Sequence, residues 1–307
     1  MKTTRLLLLV GLAVLLAIIL RLFLMETIRV GSPAMESSLQ EGDRVFVEKW
    51  SLGAKIPQRI RNPFSKAGKP DFLTVQNKIS SLPGLAQVHR NDVLIYRQPA
   101  QEVPTPIDEL PLLIGRCLGL PGERLQMQDQ DIWINKKLIE TLPDIQRCYV
   151  YTDSTSGNLQ SFIQSEFPNK TFYPGQQNQH FVFLSHFESL FLLQKHPILE
   201  KKLQLFMGDQ QKNFDVYIPY KGFTIDLNRH NVEQWKALVY AYENVQLTEN
   251  PHGQYTFKHN YYWILNDHRG FTNDSRSLGL LPDTHLLGKA KMILYSPKLK
   301  RMLIPIR

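Results

Sequence analysis

The chain has 307 residues, room for about two domains of ordinary size and a sizeable core. Hydrophobic residues make up 43% and charged residues 21%, a balance that excludes a wholly disordered, collagen-like or repeat-built protein. The net charge of +8 favours an acidic partner, but the basic residues are scattered and form neither a stripe nor a recognition motif. An anionic lipid surface is therefore the expected counterpart, and nucleic acid is not.

In chain order, Leu6 to Leu20 form an uncharged apolar run that Arg21 interrupts and Leu22 to Met25 extend. At about 1.5 Å per residue, 6–25 spans roughly 30 Å, the thickness of a bilayer core. Lys2 and Arg5 precede it, placing 1–5 in the cytoplasm and the remainder outside. A cleaved signal peptide would leave through a small-x-small site, and Leu22-Phe23-Leu24-Met25-Glu26-Thr27 has none. The expectation is one uncleaved transmembrane helix, and no second run of that length follows.

Beyond it the chain reads as mostly β, an antiparallel framework. Short apolar or alternating runs occur at Arg44–Glu48, 92–96, 132–134 and Tyr261–Leu265, bounded by turns such as Pro121-Gly122, Asn135-Lys136 and Pro251-His252-Gly253. The stretch 51–87, rich in Lys, Pro, Gly and Ser, reads as a loop or short insertion. Two helices are expected after Ser185-x-x-Glu188 and Asn231-x-x-Gln234, which resemble capping boxes, and after the second Val232, Trp235, Val239 and Tyr242 share one helical face. The rest of 141–254 is polar and irregular and reads as an inserted α/β subdomain, leaving 26–140 and 255–307 as the core domain. Cys117 and Cys148 are too few for a disulfide scaffold and lack zinc-site spacing. They leave room for one bridge in an exported domain. No metal or cofactor is expected.

Four segments carry a resemblance. The first runs Ser32-Pro33-Ala34-Met35-Glu36-Ser37-Ser38-Leu39-Gln40-Glu41-Gly42-Asp43, and the second is His89-Arg90-Asn91-Asp92 with the strand after it. The third is Ile114-Gly115-Arg116-Cys117-Leu118-Gly119-Leu120-Pro121-Gly122-Glu123, and the fourth is Asn266-Asp267-His268-Arg269-Gly270-Phe271-Thr272-Asn273-Asp274-Ser275-Arg276. In this order, behind a single apolar run, they resemble the signatures of the type I signal peptidases, membrane-anchored serine proteases that remove signal peptides from exported proteins. The resemblance covers about a quarter of the chain and implies that family's antiparallel-sheet catalytic domain.

The family works with a serine nucleophile and a lysine base whose pKa is lowered by desolvation. In the register set by Leu39, Gly42 and Asp43, Ala34 stands at the nucleophile position and Gly115 at the base position. A methyl group has no lone pair and glycine has no side chain, so both reacting groups are missing. Arg116 stays protonated and cannot be a base, and Ser32, Ser37 and Ser38 are displaced from the nucleophile position. His268 has no serine at 34 to activate. The resemblance further implies Ser32 as an oxyanion donor, Met35 as a substrate contact, Thr272 as the group orienting the base, and Asp274 with Arg276 as a stiffening charged pair. Pro33 and Ser37 depart from the family pattern. Loss at both reacting positions is better explained by natural degeneration than by one engineered substitution.

The expected function is that of a signal peptidase homologue in the bacterial inner membrane, its main domain outside the cytoplasm, that holds signal peptides or extended exported segments without cutting. An active signal peptidase or surface-assembly proteins are the further partners expected. The alternatives are an active enzyme with a non-standard dyad and a purely structural membrane protein.

Overall fold

The computed structural model describes residues 6–13, 24–56, 59–61, 72–74, 80–99, 107–128, 131–139, 142, 144–152, 158–168, 170–175, 178–200, 202–206, 214–228, 231–247 and 253–306. Residues 6–13 are helical, and 14–23 of the apolar run lie outside the described residues, as does most of the Pro251-His252-Gly253 turn. Among the described residues no helix is long and apolar enough to cross a membrane.

Antiparallel pairing dominates. The main sheet has eight strands: β1 (Met25–Arg29), β2 (Arg44–Glu48), β3 (Val93–Arg97), β4 (Leu112–Gly119), β5 (Tyr261–Leu265), β6 (Leu281–Pro282), β7 (Leu286–Tyr295) and β8 (Ile304–Pro305). They lie in the order β1-β2-β7-β3-β4-β5-β6, with β8 on β7. Alternate residues serve opposite cores, as the two-residue period of a strand requires. Val93 and Ile95, with Leu112 and Ile114, join Val30, Met35, Leu39, Val45 and Val47, whereas Leu94, Tyr96 and Cys117 join Ile264 and Leu281.

Two four-stranded sheets are built from the chain between β4 and β5. Arg124–Gln128 pairs with Asp131–Ile134 and with Phe214–Tyr217, and Asp131–Ile134 turns back on Lys137–Ile139. That last hairpin is closed by Asn135 (φ +50°) and Lys136 (φ +68°), the two left-handed residues a tight two-residue turn demands. The other sheet orders Phe172–Pro174, Gln179–Ser185, Gln146–Thr152 and Gln204–Leu205, with its own core of Leu159, Ile163, Val182, Leu184 and Leu192. The expectation of irregular chain here is corrected. Residues 148–151 and 181–184 are short continuous apolar runs with polar ends, which periodicity does not separate from a buried helical segment, and mutual pairing reveals them as strands.

Among the described residues after 150, three helices have eight or more residues: α1 (Asn158–Glu166), α2 (His186–Lys195) and α3 (Val232–Glu243). The first was not expected from sequence. At the start of α2 a capping box forms, with the Ser185 hydroxyl accepting the Glu188 N–H (3.1 Å) and the Glu188 carboxylate accepting the Ser185 N–H (2.7 Å). Ser185→Ala is expected to cost about 1 kcal/mol, measurable as a lower denaturant midpoint. The box expected for α3 does not form. Asn231 has φ −104° and ψ −17°, helical rather than extended, and its amide oxygen instead accepts the Asn228 N–H (2.9 Å). The apolar face does behave as read, with Val232, Trp235 and Val239 buried and the Trp235 ring edge-on to Phe257.

Cys117 and Cys148 are both free and buried, Cys117 in the main sheet and Cys148 in the sheet beside it. Burial pushes both thiols up, Cys148 to about 12, so neither is a reactive thiolate at neutral pH.

Candidate functional site

The first motif segment leaves β1 and closes on itself, Val30 and Gly42 exchanging backbone bonds with Asp43 and Val30 (2.8 and 2.9 Å). Gly42 (φ +91°) supplies the left-handed turn that carries the chain into β2. Inside the loop the exposed Ser32 caps a single turn, Pro33–Met35, its oxygen accepting the Ala34 N–H at 3.2 Å. Pro33 fits because the first position of a helical turn needs no N–H. The hydroxyl proton of Ser32 remains available to a ligand, since accepting a bond uses only a lone pair. Met35 is buried in the core and fastens the turn.

The fourth segment fastens it from the other side. The Ala34 carbonyl accepts the His268 N–H at 3.0 Å, and the Met35 sulfur lies 3.4 Å from the Asp267 N–H. Gly115 in β4 faces the same stretch. A Cβ there would fall 2.5 Å from Ile264 Cγ2, and 3.5 Å from both Tyr96 Cε1 and the Leu265 carbonyl oxygen. Positions 34 and 115 are thus both held against Ile264 to His268. Neither carries a group able to attack a carbonyl or take a proton.

Beside Gly115, the Arg116 guanidinium forms a two-pronged pair with Asp267 (2.7 and 2.6 Å), both side chains almost fully buried. Ser38 bridges them, donating to Asp267 (2.6 Å) and accepting from Arg116 (2.8 Å). The remaining Arg116 nitrogen donates to the Asn91 carbonyl at 2.8 Å. All four motif segments meet at this one ion pair. Its members were not singled out as site residues from sequence, although an arginine in an apolar strand signals a buried partner.

Asp274 and Arg276 form a second pair (2.9 and 2.8 Å) that ties the fourth segment into a tight loop. Asp274 also accepts the Asn266 N–H (2.9 Å), and Arg276 donates to the carbonyls of Arg269 (2.8 Å) and Phe271 (2.6 Å). Thr272 lies within that loop, its carbonyl accepting the Asp274 N–H at 2.8 Å. The His268 Nδ1 accepts the Gly270 N–H (3.2 Å), and the ring is packed between Phe183 and Phe271. Burial lowers its pKa to about 4, so it is neutral at physiological pH with Nδ1 already engaged.

Among the described residues the sheet leaves an edge open here. Leu112 to Gly115 of β4 pair with β3 on one side, while β5 joins the other side only from Arg116 onward. Leu112 and Ile114, on β4 itself, lie partly exposed over the first core, against which Ile28 also packs. A half-paired strand next to apolar side chains is the geometry that accepts an extended peptide as an added strand. Among the described residues no cluster of side chains could hold a metal ion.

Over residues 3–295 the chain matches the family described as signal peptidase, peptidase S26, and it belongs to that family. It is 24% identical over 276 residues to a signal peptidase I of Buchnera aphidicola subsp. Schizaphis graminum, covering 90% of this chain and 69% of that one. It is 25% identical over 288 residues to a signal peptidase I of Rickettsia typhi, covering 92% and 77%. Among solved structures it is similar to a signal peptidase I from Enterococcus faecalis V583, at 14% identity and a TM-score of 0.26, covering 67% of this chain and 98% of that one.

Proposed function

We propose that this chain binds signal peptides or other extended segments of exported proteins and does not cut them. The binding strand would lie along the open edge of β4, over Leu112 and Ile114. The observation that carries the reading is the state of position 115, where the side-chain space is taken up by Ile264 while the adjacent β4 edge stays open. Binding by strand addition uses backbone groups and apolar pockets, so it survives loss of serine and lysine. In the family register Ser32 would serve as the oxyanion donor and Thr272 as the base-orienting hydroxyl, with the Asp274–Arg276 pair stiffening the loop that carries Thr272, whereas Met35, expected as a substrate contact, is buried in the core and would anchor the turn instead.

Membership of the family, the apolar run at 6–25 and the net charge of +8 support a single-pass protein of the bacterial inner membrane resting on anionic lipid, its main domain extracytoplasmic. In that setting 26–140 and 255–307 form the signal-peptidase-like domain and 141–254 is inserted into it. The bound segment would be passed to an active signal peptidase or to surface-assembly proteins.

The full-length chain in detergent, titrated with a fluorescent precursor peptide ending in Ala-x-Ala, is expected to give saturable binding and no shortened product. Cleavage that persists with bulky residues at 34 and 115 but is lost on changing His268 would overturn this reading. Absence of binding would favour the structural alternative.

A further inference from the structure

A cavity of about 360 Å³ opens next to position 34, near the low end of the range in which proteins hold ligands, roughly 300–1,000 Å³. Glu36 and His268 form its wall on the main-sheet side, two residues beyond Ala34 and at the loop bonded to the Ala34 carbonyl. The opposite wall comes from the 141–254 stretch and mixes the rings of Phe167, Tyr173 and Phe183 with the polar Glu166, Lys170 and Glu188, so the cavity surface is more polar than apolar.

The rings of this wall continue out of the cavity. Phe183 packs on His268 (centroids 4.3 Å) and meets Tyr173 edge-on (5.7 Å), and Tyr173 is exposed. Phe167 meets Phe191 of α2 (6.0 Å), which stacks on Phe187 (6.5 Å). Phe187 is 65% and Leu190 52% exposed, so α2 presents an apolar face to solvent joined ring by ring to the cavity. Contiguous apolar surface of this kind marks an interaction site.

The charges of the wall are largely spent internally. Glu188 is held by Lys170 (2.7 Å) and Glu166 by Lys195 (2.7 Å), and the remaining lining charges, Glu36 and Lys298, are opposite in sign. Such a cavity has little net field and disfavours a charged occupant, which would exchange water for no counter-charge. Gln40 and Gln146 add amides that can both donate to and accept from a peptide backbone.

We propose that the cavity and the exposed face of α2 together hold the part of an exported segment that runs past position 34, the polar cavity taking its uncharged backbone and the α2 face taking a large apolar side chain. This rests on the binding reading above, in which the residues before position 34 occupy the β4 edge. The 141–254 stretch thereby lengthens the peptide track and compensates in affinity for contacts a cutting enzyme would make at the reacting groups.

The test compares two fluorescent peptides on the full-length chain: one ending at Ala-x-Ala, the other extended by six residues with a phenylalanine in the extension. The longer peptide is expected to bind roughly tenfold tighter, equivalent to about 1.4 kcal/mol. Phe187→Ser with Phe191→Ser is expected to abolish that gain and leave the short peptide's affinity unchanged, which also reports that the variant is folded. Changing the added phenylalanine to aspartate should abolish the gain on the unaltered protein. Equal affinity of the two peptides would overturn the proposal while leaving the β4 edge in place, as would a gain that survives both changes. If neither peptide binds, the binding reading itself falls and takes this inference with it.

Discussion

A variant carrying Ala34→Ser and Gly115→Lys is expected to stay inactive toward a precursor ending in Ala-x-Ala, and the same variant with Ile264→Ala is expected to cut it. Any side chain at 115 must place a Cβ 2.5 Å from Ile264 Cγ2, closer than real Cβ contacts allow. Ile264 has little freedom to retreat. It is buried, its N–H donates to the Ser275 hydroxyl at 2.9 Å, it sits opposite Cys117 in the sheet, and its branched Cβ restricts χ1. Overpacking of this kind costs about 1–3 kcal/mol and displaces the very strand that has to aim the lysine. Removing the isoleucine side chain makes room for the lysine stem. The ammonium would then lie on the face of β4 shared with Leu94, Tyr96 and Cys117, an apolar setting that lowers a lysine pKa toward the range of a working base. Loss of one member of a nucleophile–base unit costs on the order of a million-fold, so even partial recovery is measurable by product formation. Cutting by the double variant alone would mean that the seam between β4 and β5 yields. Failure of the triple variant, with peptide binding retained, would mean that 34 and 115 do not face one reaction centre.

The second large effect concerns stability. Arg116→Leu is expected to cost about 3–5 kcal/mol, because it strands the Asp267 carboxylate in a site where that side chain is 2% exposed. Replacing both partners, Arg116→Leu with Asp267→Leu, should recover much of the loss, since the larger part of the cost is the unpaired charge and not the absent attraction. Arg124 and Asp215 make a pair of similar length, 2.7 Å, with side chains 63% and 38% exposed, and Arg124→Ala should leave stability nearly unchanged. Denaturant midpoints of the three variants beside that of the unaltered chain decide the matter. Equal losses in the Arg116 and Arg124 single variants would show that burial does not set the value of the Arg116 pair. The Arg116 variant should also lose peptide binding, because Asp267 lies one residue from His268, which fastens Ala34.

Much of the framework could be read from the residues. Tyr261–Leu265 and Arg44–Glu48 are strands with the limits that apolar runs and flanking turns imply, and Asn135-Lys136 closes a hairpin. Ser185 and Glu188 cap α2 as their spacing suggests, whereas Asn231 and Gln234, with the same spacing, do not cap α3. The difference is the backbone angle of the cap residue, which depends on the neighbouring Asn228 turn and not on residue type. The sheet that contains Gln146–Thr152 escaped notice because its apolar runs, 148–151 and 181–184, are short and lack a two-residue period, and these strands are stabilised by each other.

What the amino-acid order determined unaided is local or categorical: the turn and strand signals, the succession of four motifs, and the absence of a hydroxyl at 34 and an amine at 115. Tertiary structure alone decided that Ile264 fills the gap left at 115, that Arg116 finds Asp267 across 151 residues of chain, and that a cavity opens between Glu36, His268 and Phe183. The reason is physical. Turn and strand preferences come from sterics between adjacent residues, whereas the filling of a void and the partner of a buried charge are set by close packing between segments remote in sequence.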